Sequence, residues 1–268
     1  ANRVIQGLAL TRAEELAAEP VAVAALGRSA AAAAEPAPGG TADFLRRWTD
    51  LGRRAEVVDC DEIVGTGQGE GPGERSEQPP GGPAGPAGRR EVKAMLFADV
   101  KGFSRLAEEQ TPAFFGHFLA AVDGLLKEAP AGPTFGNTWG DGLYLVFDEP
   151  ADCAAFGTQL RDRVGRTDFP ALGLPADLAV RVGTHAGPVF RGPDPVIGRE
   201  NYFGSHVTRA ARIEPVTTPG CVYASEQMAA LLAVDAAAGF RCGYVGEEHL
   251  AKGYDRCPLY VVEHAADG

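Results

Sequence analysis

Apolar and polar positions change rhythm several times along this chain, and each change marks an element. VKAMLFADV (92–100) is almost continuously apolar, which suits a strand buried on both faces in the middle of a sheet. FFGHFLAAVDGLL (114–126) repeats apolar side chains at helical spacing. The Thr111-Pro112 pair before it reads as a helix cap with proline at the first helical position. TFGNTWGDGLYLVF (134–147) reads as two strands around a glycine-containing turn, a hairpin. The pattern then predicts a helix from Pro150 to Val164, a strand over 177–189 and a short helix over Ser205–Glu214. A strand passing into a helix over 222–232 and strands over 240–250 and 258–264 close the chain. The order β-α-β-β-α-β, with a helix and strand pair appended, predicts an α+β fold: a ferredoxin-like sandwich with an antiparallel sheet.

Residues 1–64 have a different texture. A helical pattern covers Thr11–Ala18, and PVAVAAL (20–26) reads as a strand. Thr41 is placed to cap a helix over Ala42–Leu51, and AEVVDC (55–60) reads as a second strand. One αβαβ unit of this size is small for a core of its own. It reads as the end of a partial Rossmann-like α/β segment that begins upstream, regulatory or structural in role. No GxGxxG loop occurs in it, so nothing specific points to a dinucleotide. In residues 65–90, 14 of 26 are Gly or Pro and almost nothing is apolar. That composition cannot offset its conformational entropy by packing and predicts a flexible linker. The domain plan is therefore 1–64, 65–90 and 91–268.

Composition narrows the chemistry. The 268 residues are 45% hydrophobic and 23% charged, as in soluble globular proteins. A formal net charge of −11 argues against a nucleic-acid partner. No apolar run approaches the roughly 20 residues that span a bilayer, and no charged-then-apolar leader is visible. The chain opens with Ala1 instead of Met and reads as a piece that further sequence can precede. The five cysteines are odd in number and lack CxxC spacing. They argue against a disulfide framework or a zinc site, and for a cytoplasmic protein with reduced thiols. The five histidines show no HExxH spacing, so a hard cation bound through carboxylates is the metal chemistry to look for.

Two aspartates stand out by position. Asp99 ends the buried strand, just before Gly102, Phe103 and Ser104, where the chain must turn toward a helix. Asp141 lies in the hairpin turn between Gly140 and Gly142. In the expected fold the first strand lies beside that hairpin, so the two carboxylates converge. At about 5 Å and an effective dielectric near 20 they repel by roughly 3 kcal/mol. Mg²⁺ would relieve that repulsion and recruit substrate phosphates. Backbone N–H groups of the turn after Asp99 suit phosphate oxygens. On pattern alone the plainer alternative stays open: a helix cap at Asp99 and an ordinary turn residue at Asp141.

Four motifs bear on that choice. FADVKGFSRL (97–106), NTWGDGLYLVF (137–147), VRVGTHAGPV (180–189) and YFGSHVTRAARI (202–213) resemble, in order and spacing, those of class III adenylate/guanylate cyclase catalytic domains. The resemblance covers about Val92–Glu263. It implies a cyclase-type fold and conversion of a nucleoside triphosphate to a 3′,5′-cyclic nucleotide and pyrophosphate, as an intracellular signal. It also implies two Mg²⁺ or Mn²⁺ ions on Asp99 and Asp141, with the Val100 carbonyl joining one. Gly204, Val207, Thr208, Ala210 and Arg212 match the motif that ends in the family's transition-state arginine. Arg212 then stabilises charge on the α-phosphate, and Lys252 in AKGY falls where a lysine contacts terminal phosphates. The family's head-to-tail dimers imply a homodimer with composite sites.

The chain departs from the family pattern at three positions. Asn137 replaces the base-reading lysine, Asn201 the second base reader, and Thr208 the ribose-orienting asparagine. An amide both donates and accepts and can flip. The base therefore stays open, with ATP first and GTP or a pyrimidine nucleotide as alternatives. These departures also support a second reading, an inactive homologue that binds nucleotide or dimerises. Trp139, Arg181 and His185 read as structural residues, and Tyr144 and Tyr202 as pocket, core or rim.

Overall fold

The computed structural model describes residues 2–16, 18–26, 40–59, 90–250 and 256–265. The expected linker, apart from Arg90, lies outside the described residues, as do Cys60 and Lys252. The N-terminal part holds helix α1 (Asn2–Glu15), strand β1 (Ala22–Leu26), helix α2 (Thr41–Asp50) and strand β2 (Ala55–Asp59). Strands β1 and β2 pair in parallel, as a crossover through α2 requires. Trp48 of α2 is buried against Ala22, Ala24 and Leu45, and its indole N–H donates to the Arg54 carbonyl. Two expectations need correction. Helix α1 starts nine residues before Thr11 and ends at Glu15, short of Ala18, and Gly7 within it marks a close approach to another helix. Thr41 is the first helical residue of α2, with Gly40 at the cap position.

The larger part runs β3 (Arg90–Lys101), α3 (Thr111–Glu128), β4 (Phe135–Trp139), β5 (Gly142–Phe147), α4 (Pro150–Gly165) and β6 (Ala179–Asp194). It continues with β7 (Arg199–Phe203), α5 (Ser205–Ile213), β8 (Val222–Ser225), α6 (Glu226–Ala233), β9 (Phe240–His249) and β10 (Arg256–His264). One sheet has the order β4-β5-β3-β6-β8-β10-β9, with β7 added to β6. All its pairs are antiparallel except β6–β8. The expected α+β sandwich is therefore present, with one parallel pair inside it. Strand β7 was not foreseen: its sequence, RENYF, has too little apolar alternation to announce it. Thr111 belongs to α3 itself, with Gln110 at the cap position, and two 3₁₀ turns (Phe103–Arg105 and Glu108–Gln110) precede it.

Strand β3 is buried on both faces. Ala94, Leu96, Ala98 and Val100 pack beneath α3 and α4 with Phe114, Phe118, Leu125, Phe156 and Leu160. Met95 and Phe97 point the other way, into a smaller cluster with Tyr144, Val146, Val189, Tyr202 and Ala210. Alternation along the strand sets Asp99 on this second face. Helix α5 covers the same face over β6. Two glycines make that approach possible. A Cβ at Gly183 would lie 2.4 Å from the Glu214 amide nitrogen, and one at Gly187 would lie 2.2 Å from Nδ1 of His206.

Candidate active site

Asp99 and Asp141 reach the same place by different routes. Strand β3 pairs with β5 through Ala98 opposite Leu143, so Asp99 stands beside the β4–β5 turn. That turn holds only Gly140 and Asp141 between the paired residues Trp139 and Gly142. Gly140 has φ of 64°, a conformation that glycine adopts without Cβ strain and that two-residue hairpins require. The Asp141 carboxylate accepts a long hydrogen bond from the Val100 amide at 3.4 Å. Burial, then a hydrogen bond to Asp99 and the Asp99 charge, push the Asp141 carboxyl up to about 6. Burial is the largest of these causes, and the Asp99 charge adds to it.

A third carboxylate and a cation complete the cluster. Arg181 lies directly opposite Asp99 in the β3–β6 register. Its Nη2 is 2.7 Å from Oδ2 of Asp99 and 2.9 Å from Oε1 of Glu214. Burial pushes the Glu214 carboxyl up to about 7, against the pull of the Arg181 charge. Sequence reading took Arg181 as structural and did not single out Glu214. A lone arginine inside the otherwise apolar run AVRVG was the available signal for the first. For the second it was an acidic residue two positions after Arg212, directly after the helix that carries it.

Gly102 turns the chain after Asp99 with φ of 95°. A side chain there would strike the Arg105 guanidinium at 2.9 Å. The Phe103 ring packs 5.0 Å from Phe114 and 5.3 Å from Phe115, so the turn is anchored through its side chain while Ser104 stays exposed. The turn leads into a short 3₁₀ segment, not directly into the expected helix. Asn137 sits opposite Tyr144 on β4, half-buried, on the face that carries Phe97 and Asp99. Trp139 is 54% exposed, its indole beside Gly142 and 6.3 Å from Phe97. It packs at the rim, against Phe97 and the turn.

The amide of Asn201 is fixed instead of free to flip. Its nitrogen donates to Asp194 at 2.9 Å and its oxygen accepts from the Tyr202 amide at 2.7 Å. Strand β7 is tied to β4, which carries Asn137: Arg199 donates to the Gly136 carbonyl and covers the Phe135 ring at 4.7 Å. Thr208 and Arg212 are one turn apart on α5. Thr208 is exposed, its hydroxyl 3.4 Å from the Gly204 carbonyl, and Arg212 is half-buried in the last turn. Tyr144 and Tyr202 are both core residues.

Asp99 and Asp141 form a pair of hard oxygen donors whose negative charge Arg181 balances only in part, which fits a divalent cation sharing its ligands with water and phosphate. Among the described residues no group of three or more His, Cys, Asp or Glu side chains is arranged to hold a metal ion. No helix among them is long and apolar enough to cross a membrane. Cys153, Cys221, Cys242 and Cys257 are unpaired thiols.

Residues 86–264 match the family described as the adenylate and guanylate cyclase catalytic domain. The chain is 30% identical over 167 residues to the pH-sensitive adenylate cyclase MT1302 of Mycobacterium tuberculosis. That match covers 61% of this chain but 38% of the mycobacterial protein. Among solved structures, the adenylyl cyclase CyaB from P. aeruginosa superposes with a TM-score of 0.57 at 19% identity, covering 65% of this chain and 95% of that one. The guanylate cyclase domain of RhGC from Catenaria anguillulae, in complex with GTP, superposes at 0.53 and 19% identity, covering 65% and 97%. At these identities the structural likeness is one of fold.

Proposed function

Because the chain belongs to the adenylate and guanylate cyclase catalytic domain family, we propose that it cyclises a nucleoside triphosphate to a 3′,5′-cyclic nucleotide, releasing pyrophosphate. The meeting of Asp99 and Asp141 beside the β4–β5 turn carries this reading. Two Mg²⁺ or Mn²⁺ ions, when bound, neutralise the triphosphate and lower the pKa of the 3′ hydroxyl. Asp99, Asp141 and the Val100 carbonyl hold them. The backbone of Gly102, Phe103 and Ser104 cradles phosphate oxygens. Thr208 orients the ribose through its hydroxyl. Arg212 places a fixed guanidinium against charge developing on the α-phosphate as the 3′ oxygen attacks. Most of the rate enhancement comes from positioning and charge stabilisation, and no side chain acts as a covalent nucleophile. Asn137 and Asn201 face the base, and Lys252 takes the terminal phosphates. Arg212 and Thr208 serve the site whose Asp99 and Asp141 belong to a second copy, in a head-to-tail homodimer. Its substrate pool places the reaction in the cytoplasm.

A second reading, nucleotide binding without turnover, is favoured by Asn201, whose amide is engaged by Asp194 and Tyr202. One assay separates the two. The chain is incubated with Mn²⁺ and each of ATP, GTP, CTP and UTP, and cyclic product and pyrophosphate are measured by mass. Product from ATP is the expected result. Absence of product from all four, with dimer present, overturns the enzyme reading, and the preferred nucleotide identifies the base.

A further inference from the structure

The β6–β7 hairpin closes on a small hydrogen-bond network around Asp194 and Asn201. Asn201 on β7 stands opposite Gly192 on β6, so no side chain intervenes as it reaches Asp194, the next residue on that strand face. Oδ2 of Asp194 accepts from the Asn201 amide nitrogen at 2.9 Å. Its Oδ1 accepts from the Val196 amide at 2.9 Å and the Ile197 amide at 3.4 Å, which fixes the carboxylate within the turn. The bond from Asn201, then that from the Val196 amide, hold the Asp194 carboxyl below the usual carboxylate range, so it remains an acceptor. On the other side of the amide, the Asn201 oxygen accepts from the Tyr202 N–H at 2.7 Å. Turning the amide over would set oxygen against a carboxylate and N–H against N–H, and both contacts would be repulsive. Two of the amide's four hydrogen-bonding positions are used, and one N–H and one lone pair remain, in a fixed order.

That order matters because the bases fall into two classes. Adenine and cytosine carry an amino donor beside a ring-nitrogen acceptor, whereas guanine and uracil carry a carbonyl acceptor beside a ring N–H donor. An amide free to turn over matches both classes, and an amide held one way matches one. We propose that Asp194 is a positioning residue that holds Asn201 in one orientation and so confines the site to nucleotides with an amino base. ATP comes ahead of CTP, because a purine edge reaches further from the ribose. This rests on the cyclase reading above, in which Asn201 faces the base. Among the described residues Asn137 has no comparable clamp, so it can turn to suit either class, and the discrimination falls to Asn201.

The test uses the full chain and its Asp194→Ala and Asp194→Asn variants, with Mn²⁺ and each of ATP, GTP, CTP and UTP. Two quantities are read: kcat/KM for cyclic product, and calorimetric affinity for the matching 3′-deoxy nucleotides, which lack the attacking hydroxyl. The parent is expected to favour ATP over GTP, and CTP over UTP, by about 10–100-fold in both. Asp194→Ala frees the amide, and both ratios are expected to fall to about 3-fold or less. Asp194→Asn keeps an oxygen for the Val196 amide but turns an amide N–H toward Asn201, and is expected to lower both ratios at least as far. Loss of affinity for the amino-base nucleotides with gain for the others supports the role. A uniform loss across all four, with ratios unchanged, is what a purely structural contact gives and overturns it. A parent that does not discriminate, or that prefers GTP and UTP, overturns the assigned base class. Thermal unfolding checks each fold; if Asp194→Ala does not fold, Asp194→Asn, which retains the turn contact, carries the test. If the parent binds nucleotide without turnover, the affinity ratios decide. If it neither binds nor turns over any nucleotide, the cyclase reading falls first and takes this role with it. The two failures are distinguishable because the parent is measured in every case.

Discussion

Strand β6 carries two polar side chains four residues apart on one face, both beneath α5, and their surroundings differ in kind. His185 is 0% exposed and satisfied. Its Nδ1 lies 2.7 Å from Ser225 Oγ and its Nε2 lies 2.8 Å from His206 Nδ1, with the two imidazoles stacked at 5.1 Å. Arg181 stands among Asp99, Glu214 and Asp141, where three carboxylates face one cation. The histidine site is neutral, closed and complete in the chain by itself. The arginine site carries excess negative charge at the opening of the sheet. Unpaired buried charge is costly, so a fold retains such a site only with something to relieve it. The same strand thus separates a polar group used for building from one used for binding.

The comparison breaks most sharply at the open end. Asp141→Asn is expected to lower cyclisation by about 10³-fold, or about 4 kcal/mol. The same change is expected to raise the melting temperature of the metal-free protein, because it removes a buried carboxylate that repels Asp99. His185→Ala should do the opposite. It leaves Ser225 and His206 without their shared partner and costs about 2–4 kcal/mol in urea unfolding. Gly183→Ala tests the link between the two sites. Its Cβ must push the Glu214 main chain away, at about 1–3 kcal/mol in the same measurement.

The smallest effect is a pH dependence at the closed end. Burial, with the neighbouring His206 and Arg209 charges adding, pushes the His185 imidazole down to about 3. In the unfolded chain an imidazole titrates near 6.5. Between those values the unfolded state binds more protons, so this contribution is present above about pH 6.5 and is lost as pH falls. From pH 6.5 to 5 the loss is about 1.5 kcal/mol. Urea unfolding at both pH values checks it, and His185→Gln should flatten the difference. His206, across the stack, is shifted in the same direction, mainly by burial.

What was legible in the sequence was what repeats or alternates. The continuous apolar run of β3 and the glycine-flanked turn of Asp141 set two strands side by side, and their meeting followed. Strand β7 was missed because pairing with β6 creates it, not its own composition. The state of Asn201 was missed for a similar reason: Asp194, seven residues earlier, comes within reach only when the β6–β7 hairpin closes. Arg181 and Glu214 lie 33 positions apart, so no local pattern joins them. The glycines of VGTHAG were read as strand residues, and their role in admitting α5 depends on what packs above them.

Helix α1 meets the larger part of the chain on the layer opposite Asp99. It packs on α6 so tightly that a Cβ at Gly7 would lie 1.7 Å from the Ala230 carbonyl oxygen, and Val4 packs against the main core. With no side chain between the two backbones there is no compressible layer to absorb a push. The amino-terminal helix is thus seated backbone to backbone on α6, behind the sheet, on the layer away from the aspartates.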